Sequence, residues 1–190
     1  MNTFATPEMI EAEGFDAVVV AVGGHCQKPS VPGAEDTKWD VTNIYGHVDE
    51  IGHKVVVIGG NSTSAEAACY LAETGHEVVE LSRQGRFASD LNPIRMISYM
   101  SRKLSSLGVK TKPQCTTLKI EPGKVTYEKN GETFVIECDD VLAAGGMDPN
   151  SDAAIAFYGS APEFYMIGDC TQPDTIQTTN RSAYGAAMNI

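Results

Sequence analysis

Residues 54–58, KVVVI, are apolar beyond their first lysine, and residues 77–81, EVVEL, are again mostly apolar. Between them Ala65, Ala68, Cys69 and Ala72 fall at helical spacing, and Gly75 marks a stop before the second apolar run. The pattern predicts a strand–helix–strand unit over 53–83, HKVVVIGGNSTSAEAACYLAETGHEVVELSR. The first turn of such a unit is where a pyrophosphate is held.

The flanking pattern predicts an α/β chain. Thr6-Pro7-Glu8 reads as a helix start, with Thr6 as N-cap and Gly14 as the close. Residues 16–22, DAVVVAV, read as a strand apolar on both faces, as in the interior of a parallel sheet covered by helices. Gly23-Gly24 ends it, and HCQKPSVPGAED follows as a proline-punctuated linker.

Past the central unit, residues 93–107 read as a helix whose stripe of Ile97, Met100, Leu104 and Leu107 suits core packing. Short strands are predicted at 109–112, 115–120, 125–128 and 133–137. The turns EPGK and EKNGE make 115–137 an antiparallel meander. A buried strand at 140–144 ends in Gly145-Gly146, a short strand at 164–167 precedes Gly168-Asp169, and the alanine-rich tail from 176 to 190 reads as a helix. VVVAVGG, VVVIGG and VLAAGG thus each end a strand in paired glycines, which favours several places where backbone approaches a ligand or another chain closely.

Charge narrows the partners. A formal net charge of -11 over 190 residues speaks against nucleic acid or an anionic membrane, either of which needs a dense basic face. No apolar run reaches the length of a membrane span, and the MNTFATPEM start lacks the basic and apolar regions of a signal peptide, so the expected location is cytoplasmic. Cys26, Cys69, Cys115, Cys138 and Cys170 show no CxxC and no metal-ligand spacing, which reads as buried thiols in a reducing compartment.

The turn itself is an altered dinucleotide fingerprint. Gly59 fills the first place of G-x-G-x-x-G and is followed by Gly60, while the second and third places fall on Asn61 and Ser64. Asn tolerates a left-handed backbone and Ser is small enough for close packing, so the geometry can survive. Ser62, Thr63 and Ser64 add hydroxyls near the helix N-terminus. An NAD-selective unit places an acid at the end of its second strand for the ribose 2′-hydroxyl. Here Ser82 and Arg83 stand there with Arg86 close behind, a set that suits a 2′-phosphate and so NADPH. Glu80, by strand alternation, points elsewhere.

With these motifs in order, the chain resembles the two-dinucleotide-binding flavoproteins of the pyridine nucleotide-disulfide oxidoreductase fold. Their NAD(P) domain is a Rossmann-like three-layer unit, a central parallel sheet between helices and an antiparallel meander, inserted into an FAD domain. DAVVVAVGG with Val31-Pro32-Gly33 is similar to the family's crossover, with Val22 where its threonine usually stands. MIGDC at 166–170 matches its late FAD motif, which maps a flavin contact to Asp169 beside Gly168. Glu66 matches the glutamate that lies toward the nicotinamide, and DDVLAAGGMDPN the strand returning to the FAD domain. The resemblance also brings Gly23 and Gly145 into the cofactor-binding set.

TPEMIEAEGFDAVVVAVGG is more specifically similar to the C-terminal part of old-yellow-enzyme-type multidomain reductases, such as 2-enoate reductase, 2,4-dienoyl-CoA reductase and trimethylamine dehydrogenase. The resemblance implies a partial FAD-binding domain over 1–33 and 147–190 and an inserted NAD(P)-binding domain over 34–146. It also implies upstream partners in the same polypeptide: the rest of the FAD domain and a barrel with FMN and an iron-sulfur cluster. FAD is then expected to be weakly held or absent in this chain alone, and the chain alone to be inactive.

Three functions remain open on the sequence. The first is an enzyme part that passes hydride from NAD(P)H to FAD for reduction of an enoate- or enoyl-type substrate elsewhere, with no catalytic side chain of its own. Under that reading His25, His47, His53 and His76 need no catalytic role. The second is a degenerate nucleotide-binding module that docks other domains. The third is a stand-alone dehydrogenase, for which no catalytic constellation is visible.

Overall fold

The computed structural model describes residues 2–88, 90–91 and 94–190. In chain order the elements are α1 (Pro7–Glu13), β1 (Ala17–Val20), β2 (Gly24–Cys26), β3 (Trp39–Asp40), β4 (Lys54–Ile58), α2 (Ser62–Glu73), β5 (Glu77–Leu81) and α3 (Ile94–Ser106). There follow β6 (Lys110–Lys112), β7 (Thr116–Glu121), β8 (Lys124–Lys129), β9 (Glu132–Glu137), β10 (Asp140–Ala143), β11 (Met147–Pro149), α4 (Ser151–Ile155), β12 (Glu163–Met166) and α5 (Ile176–Ala187). Pro93, where the sequence starts the third helix, lies outside the described residues. Two compact units result: Met1–His25 with Met147–Ile190, and Cys26–Gly146.

The second unit is the Rossmann-like layer structure. Its sheet has the order β3-β10-β4-β5-β6, with every pairing parallel. A strand buried on both faces must be covered twice, and Val55, Val56 and Val57 of β4 are all but inaccessible. On one face α2 packs on β4 and β5 through a run of small residues, Ala65, Ala67 and Ala68, that brings helix and sheet close. Behind it α3 meets α2, where the Cys69 and Met100 sulfurs stand 3.9 Å apart, and Met100 and Leu104 of the expected stripe are buried. On the other face Val56, Ile58, Leu81 and Val141 share a core with Ile120, Val125 and Tyr127 of the antiparallel sheet β7-β8-β9.

Residues 26–33 fall within this compact unit, which runs from Cys26 to Gly146. The prolines that read as a linker mark a packed segment. Gln27 N–H donates to the Gly146 carbonyl, Ile120 N–H donates to the Pro32 carbonyl, and Val31 packs on the shared core.

In the first unit α1 is capped as the sequence expects, the Thr6 hydroxyl accepting from Met9 N–H and Gly14 closing the helix. The strand expected over 16–22 is the shorter β1, paired in parallel with β12 from Ala17↔Glu163 to Val20↔Met166. Its burial is one-sided: Val20 packs with Ala154 and Cys170, while Val19 is 43% exposed. β2 and β11 form a two-stranded sheet that the sequence gives no sign of.

Candidate functional site: the glycine turn and its cavity

The carboxyl ends of β4, β5 and β10 open into a cavity of ≈ 350 Å³, contained within the second unit. Gly59, Gly60 and Asn61 form one wall, Ser82 and Arg83 another, and Gly145 lines it from the end of β10. Ligands of open α/β sheets sit at such carboxyl ends. A cavity of ≈ 360 Å³ at the amino ends, around Lys54, Glu77 and Lys110, has no such turn.

The turn is held tightly from inside. A Cβ on Gly59 would overlap the Ser64 side chain, so the third fingerprint position does keep close helix–strand packing although it is serine. A Cβ on Gly60, whose φ is 137°, would overlap the Ser82 hydroxyl. Asn61 makes no use of its tolerance of a left-handed backbone: at φ -84° and ψ 179° it is the N-cap of α2, with Oδ1 accepting from Ser64 N–H at 2.8 Å. Gly145 owes its lack of a side chain to the chain's own backbone, the Gln27 carbonyl and Pro29 nitrogen, and Gly24 likewise to the Asp148 carbonyl, 2.6 Å from where a Cβ would stand.

Two residues outside the expected set complete the turn. The Asp90 carboxylate accepts both from Ser62 N–H, 2.7 Å away, and from the Ser62 hydroxyl, 2.6 Å away, at the first turn of α2. Glu80 is fully buried, with Oε1 2.8 Å from the Ser64 hydroxyl and Oε2 without a partner among the described residues. Burial pushes its carboxyl up to about 7, against the opposing pull of the Ser64 hydrogen bond. An acid between the apolar Val79 and Leu81 of a strand was the sequence signal for Glu80, whereas Asp90 sits in a loop with no pattern to mark it.

The remaining expected residues divide. Ser82 is almost completely buried and its hydroxyl accepts from Gln84 N–H, so among Ser82, Arg83 and Arg86 it is Arg83 that is both exposed and on the cavity. Lys28, the cavity's other cation, spends its Nζ on the Glu35 and Thr37 carbonyls. Arg86 is exposed but does not line the cavity, and Thr63 and the exposed Glu66 lie on α2. Gly23, Gly168 and Asp169 belong to the other unit. There Gly168 N–H donates to the Ser182 hydroxyl, and the half-buried Asp169 carboxylate has no hydrogen-bond partner among the described residues.

All five cysteines are free thiols. Burial raises Cys26 and Cys69 and pushes Cys138 up to about 11, the opposite of a reactive thiolate. His25, His47, His53 and His76 make local contacts with Asn150, Glu50, Glu77 and Leu71. Among the described residues there is no group of His, Cys, Asp or Glu that would hold a metal ion, and no helix long and apolar enough to cross a membrane.

The sequence model of the pyridine nucleotide-disulphide oxidoreductases matches residues 5–187. The chain belongs to that family. Cinnamate reductase of Clostridium sporogenes is 26% identical over 194 residues, covering 100% of this chain and 29% of that protein. An NADH oxidase of Thermoanaerobacter brockii is 31% identical over 195 residues, covering 98% of this chain and 30% of the oxidase. Among solved structures, a complex of 2-naphthoyl-CoA reductase superposes with a TM-score of 0.92 at 33% identity, over 100% of this chain and 29% of that one. Histamine dehydrogenase from Rhizobium sp. 4-9, at 18% identity and a TM-score of 0.84, shares the fold.

The chain therefore spans less than a third of the length of these relatives, which are much longer multidomain proteins. It corresponds to the FAD- and NAD(P)-binding region of enoate-reductase-type flavoproteins, and the family implies both cofactors. Some of its features would suit them: Gly59, Gly60 and Arg83 border the cavity of the second unit, and in the first the Asp169 carboxylate has no hydrogen-bond partner among the described residues. The amides of Gly59, Gly60, Ser62 and Ser64 are already bonded within the chain.

Proposed function

We propose that the second unit binds NAD(P)H in the cavity beside Gly59–Asn61, and that the chain serves as the nicotinamide-oxidising part of a larger flavin-dependent reductase. The observation that carries this reading is the cavity at the carboxyl ends of a parallel sheet, walled by the glycine turn and by Arg83. When bound, the nicotinamide supplies a hydride and the flavin accepts it, so the protein's task is placement. Gly59, Gly60 and Asn61 shape the pyrophosphate wall. Arg83 offers a guanidinium to a 2′-phosphate, the ground for preferring NADPH. Asp169, by its place in the MIGDC motif, is assigned to FAD.

Reduction of an enoate- or enoyl-type substrate in a separate domain is part of the same proposal, and it draws on the names of the cinnamate and 2-naphthoyl-CoA reductases. The proposed partners are the remaining FAD-domain segments and a barrel domain of the same polypeptide. A docking module without nucleotide is the second reading, and the Asp90 carboxylate on Ser62 is the observation in its favour.

Fluorescence titration with NADPH and NADH tests the choice. Saturable binding, NADPH the tighter, supports the proposal. A folded protein that binds neither at millimolar concentration defeats it. A yellow colour after purification would show that FAD is held by this chain.

A further inference from the structure

Glu80 lies on β5, in register with Val57 of β4 and Thr111 of β6, and it faces the underside of the glycine turn. The Ser64 hydroxyl is the hub. It is 2.7 Å from Gly60 N, 2.9 Å from the Asn61 carbonyl and 2.8 Å from Glu80 Oε1. A hydroxyl has one proton to give and two lone pairs to receive with. Gly60 N–H can only donate and the Asn61 carbonyl can only accept. If Glu80 is a carboxylate, it and the Asn61 carbonyl compete for the single Ser64 proton. If Glu80 is an acid protonated on Oε1, it donates to Ser64, Ser64 donates to Asn61, and all three bonds form together. The partnerless Oε2 is then a neutral carbonyl rather than half of a buried charge.

The surroundings favour the acid. Among the described residues no lysine or arginine is buried with Glu80. The Cys69 thiol of α2 feels the charge of Glu80, as it does those of Glu66 and Glu73 on the same helix and of Lys103 on α3, which is paired to Glu73. β4 and β6 bring Val57 and Thr111 to its register positions, with Lys110 and Lys112 on either side of Thr111.

We propose that Glu80 is a positioning residue of the nucleotide turn, whose acid form ties Ser64 to Gly60 and Asn61 at once and so holds the turn ready for a dinucleotide. The proposal rests on the reading of the cavity as an NAD(P)H site. Ionisation releases the Asn61 carbonyl and puts a negative charge beneath a turn that receives a pyrophosphate. Nucleotide affinity therefore falls as pH rises through the carboxyl's titration.

Two measurements on the full 190-residue chain test it. NADH is the probe, since it has no 2′-phosphate titrating in the same window. If only the acid form binds, its Kd rises by up to about 30-fold between pH 6 and pH 8.5, and Glu80→Gln, which keeps a neutral donor, removes that dependence. Without ligand, the amide shift of Gly60 moves over the same pH range in the wild type and stays constant in Glu80→Gln. A Gly60 amide that does not titrate in the wild type overturns the proposal, as does one that titrates while the NADH Kd stays flat. A titrating amide with no NADH binding at any pH upholds the hydrogen-bond switch and defeats the nucleotide reading instead.

Discussion

Asp90 holds both polar hydrogens of Ser62, one oxygen 2.7 Å from the backbone nitrogen and the other 2.6 Å from the hydroxyl. These are groups that a helix N-terminus offers to a pyrophosphate, so the side chain competes with the ligand in place and in charge. Replacing Asp90 with Ala is expected to tighten NADH binding by about tenfold, the worth of roughly 1.4 kcal/mol. Asp90→Asn keeps an acceptor for Ser62 and loses the charge, so its gain is smaller. Weaker binding by the alanine variant in a fluorescence titration would show that Asp90 orders the turn rather than obstructs it.

Gly60 is fixed by Ser82. Its φ of 137° is unfavourable to a side chain, and a Cβ there would run into the buried Ser82 hydroxyl and Cβ. Gly60→Ala should cost about 2–4 kcal/mol in urea unfolding, from backbone strain and overpacking together. Ser82→Gly in that background returns part of the loss by clearing the clash, and the backbone strain remains. A double-mutant cycle with no coupling between the two positions would contradict this account.

The central unit was legible because its signals are local. Strand, turn, helix and strand over 53–83 follow from periodicity and from glycines within a few residues of one another, and the structure places β4, α2 and β5 there. Asn61 and Ser64 were visible as departures from the fingerprint, and their new partnerships were not. Asn61 caps α2, and Ser64 meets a carboxyl 16 residues away on the next strand. β2 and β11 are three residues each and lie more than a hundred residues apart, too short for a pattern. The polar-looking 26–33 is packed largely through contacts that no side-chain pattern marks, the Gln27 and Pro32 main chain, with Val31 alone set on the core. Asp90 became a candidate only when the fold brought its loop to the helix N-terminus.

Under the proposed NADPH preference, Arg83 is the residue of the three left to meet a 2′-phosphate, since Ser82 is buried and Arg86 does not line the cavity. Arg83→Ala should narrow the NADPH-over-NADH affinity ratio by about five- to tenfold, the scale of an exposed charge-assisted contact. Arg86→Ala should change the ratio far less. An unchanged ratio in Arg83→Ala sinks the 2′-phosphate assignment and fits a protein similar in coenzyme use to the NADH oxidase.

Glu80 also sets how stability varies with pH. Its folded value of about 7 stands above the ordinary 4.5, so between those values the native state holds a proton that the unfolded chain has released. Stability from this group is complete below the ordinary carboxyl range, declines as pH rises toward 7, and is level beyond, a total loss of about 3 kcal/mol. Glu80→Gln removes that decline while keeping a donor for Ser64. Urea unfolding at pH 5 and pH 8 should therefore show a smaller difference in the variant than in the wild type. Equal differences would mean that Glu80 is ionised throughout, and that its partnerless oxygen is paired in solution.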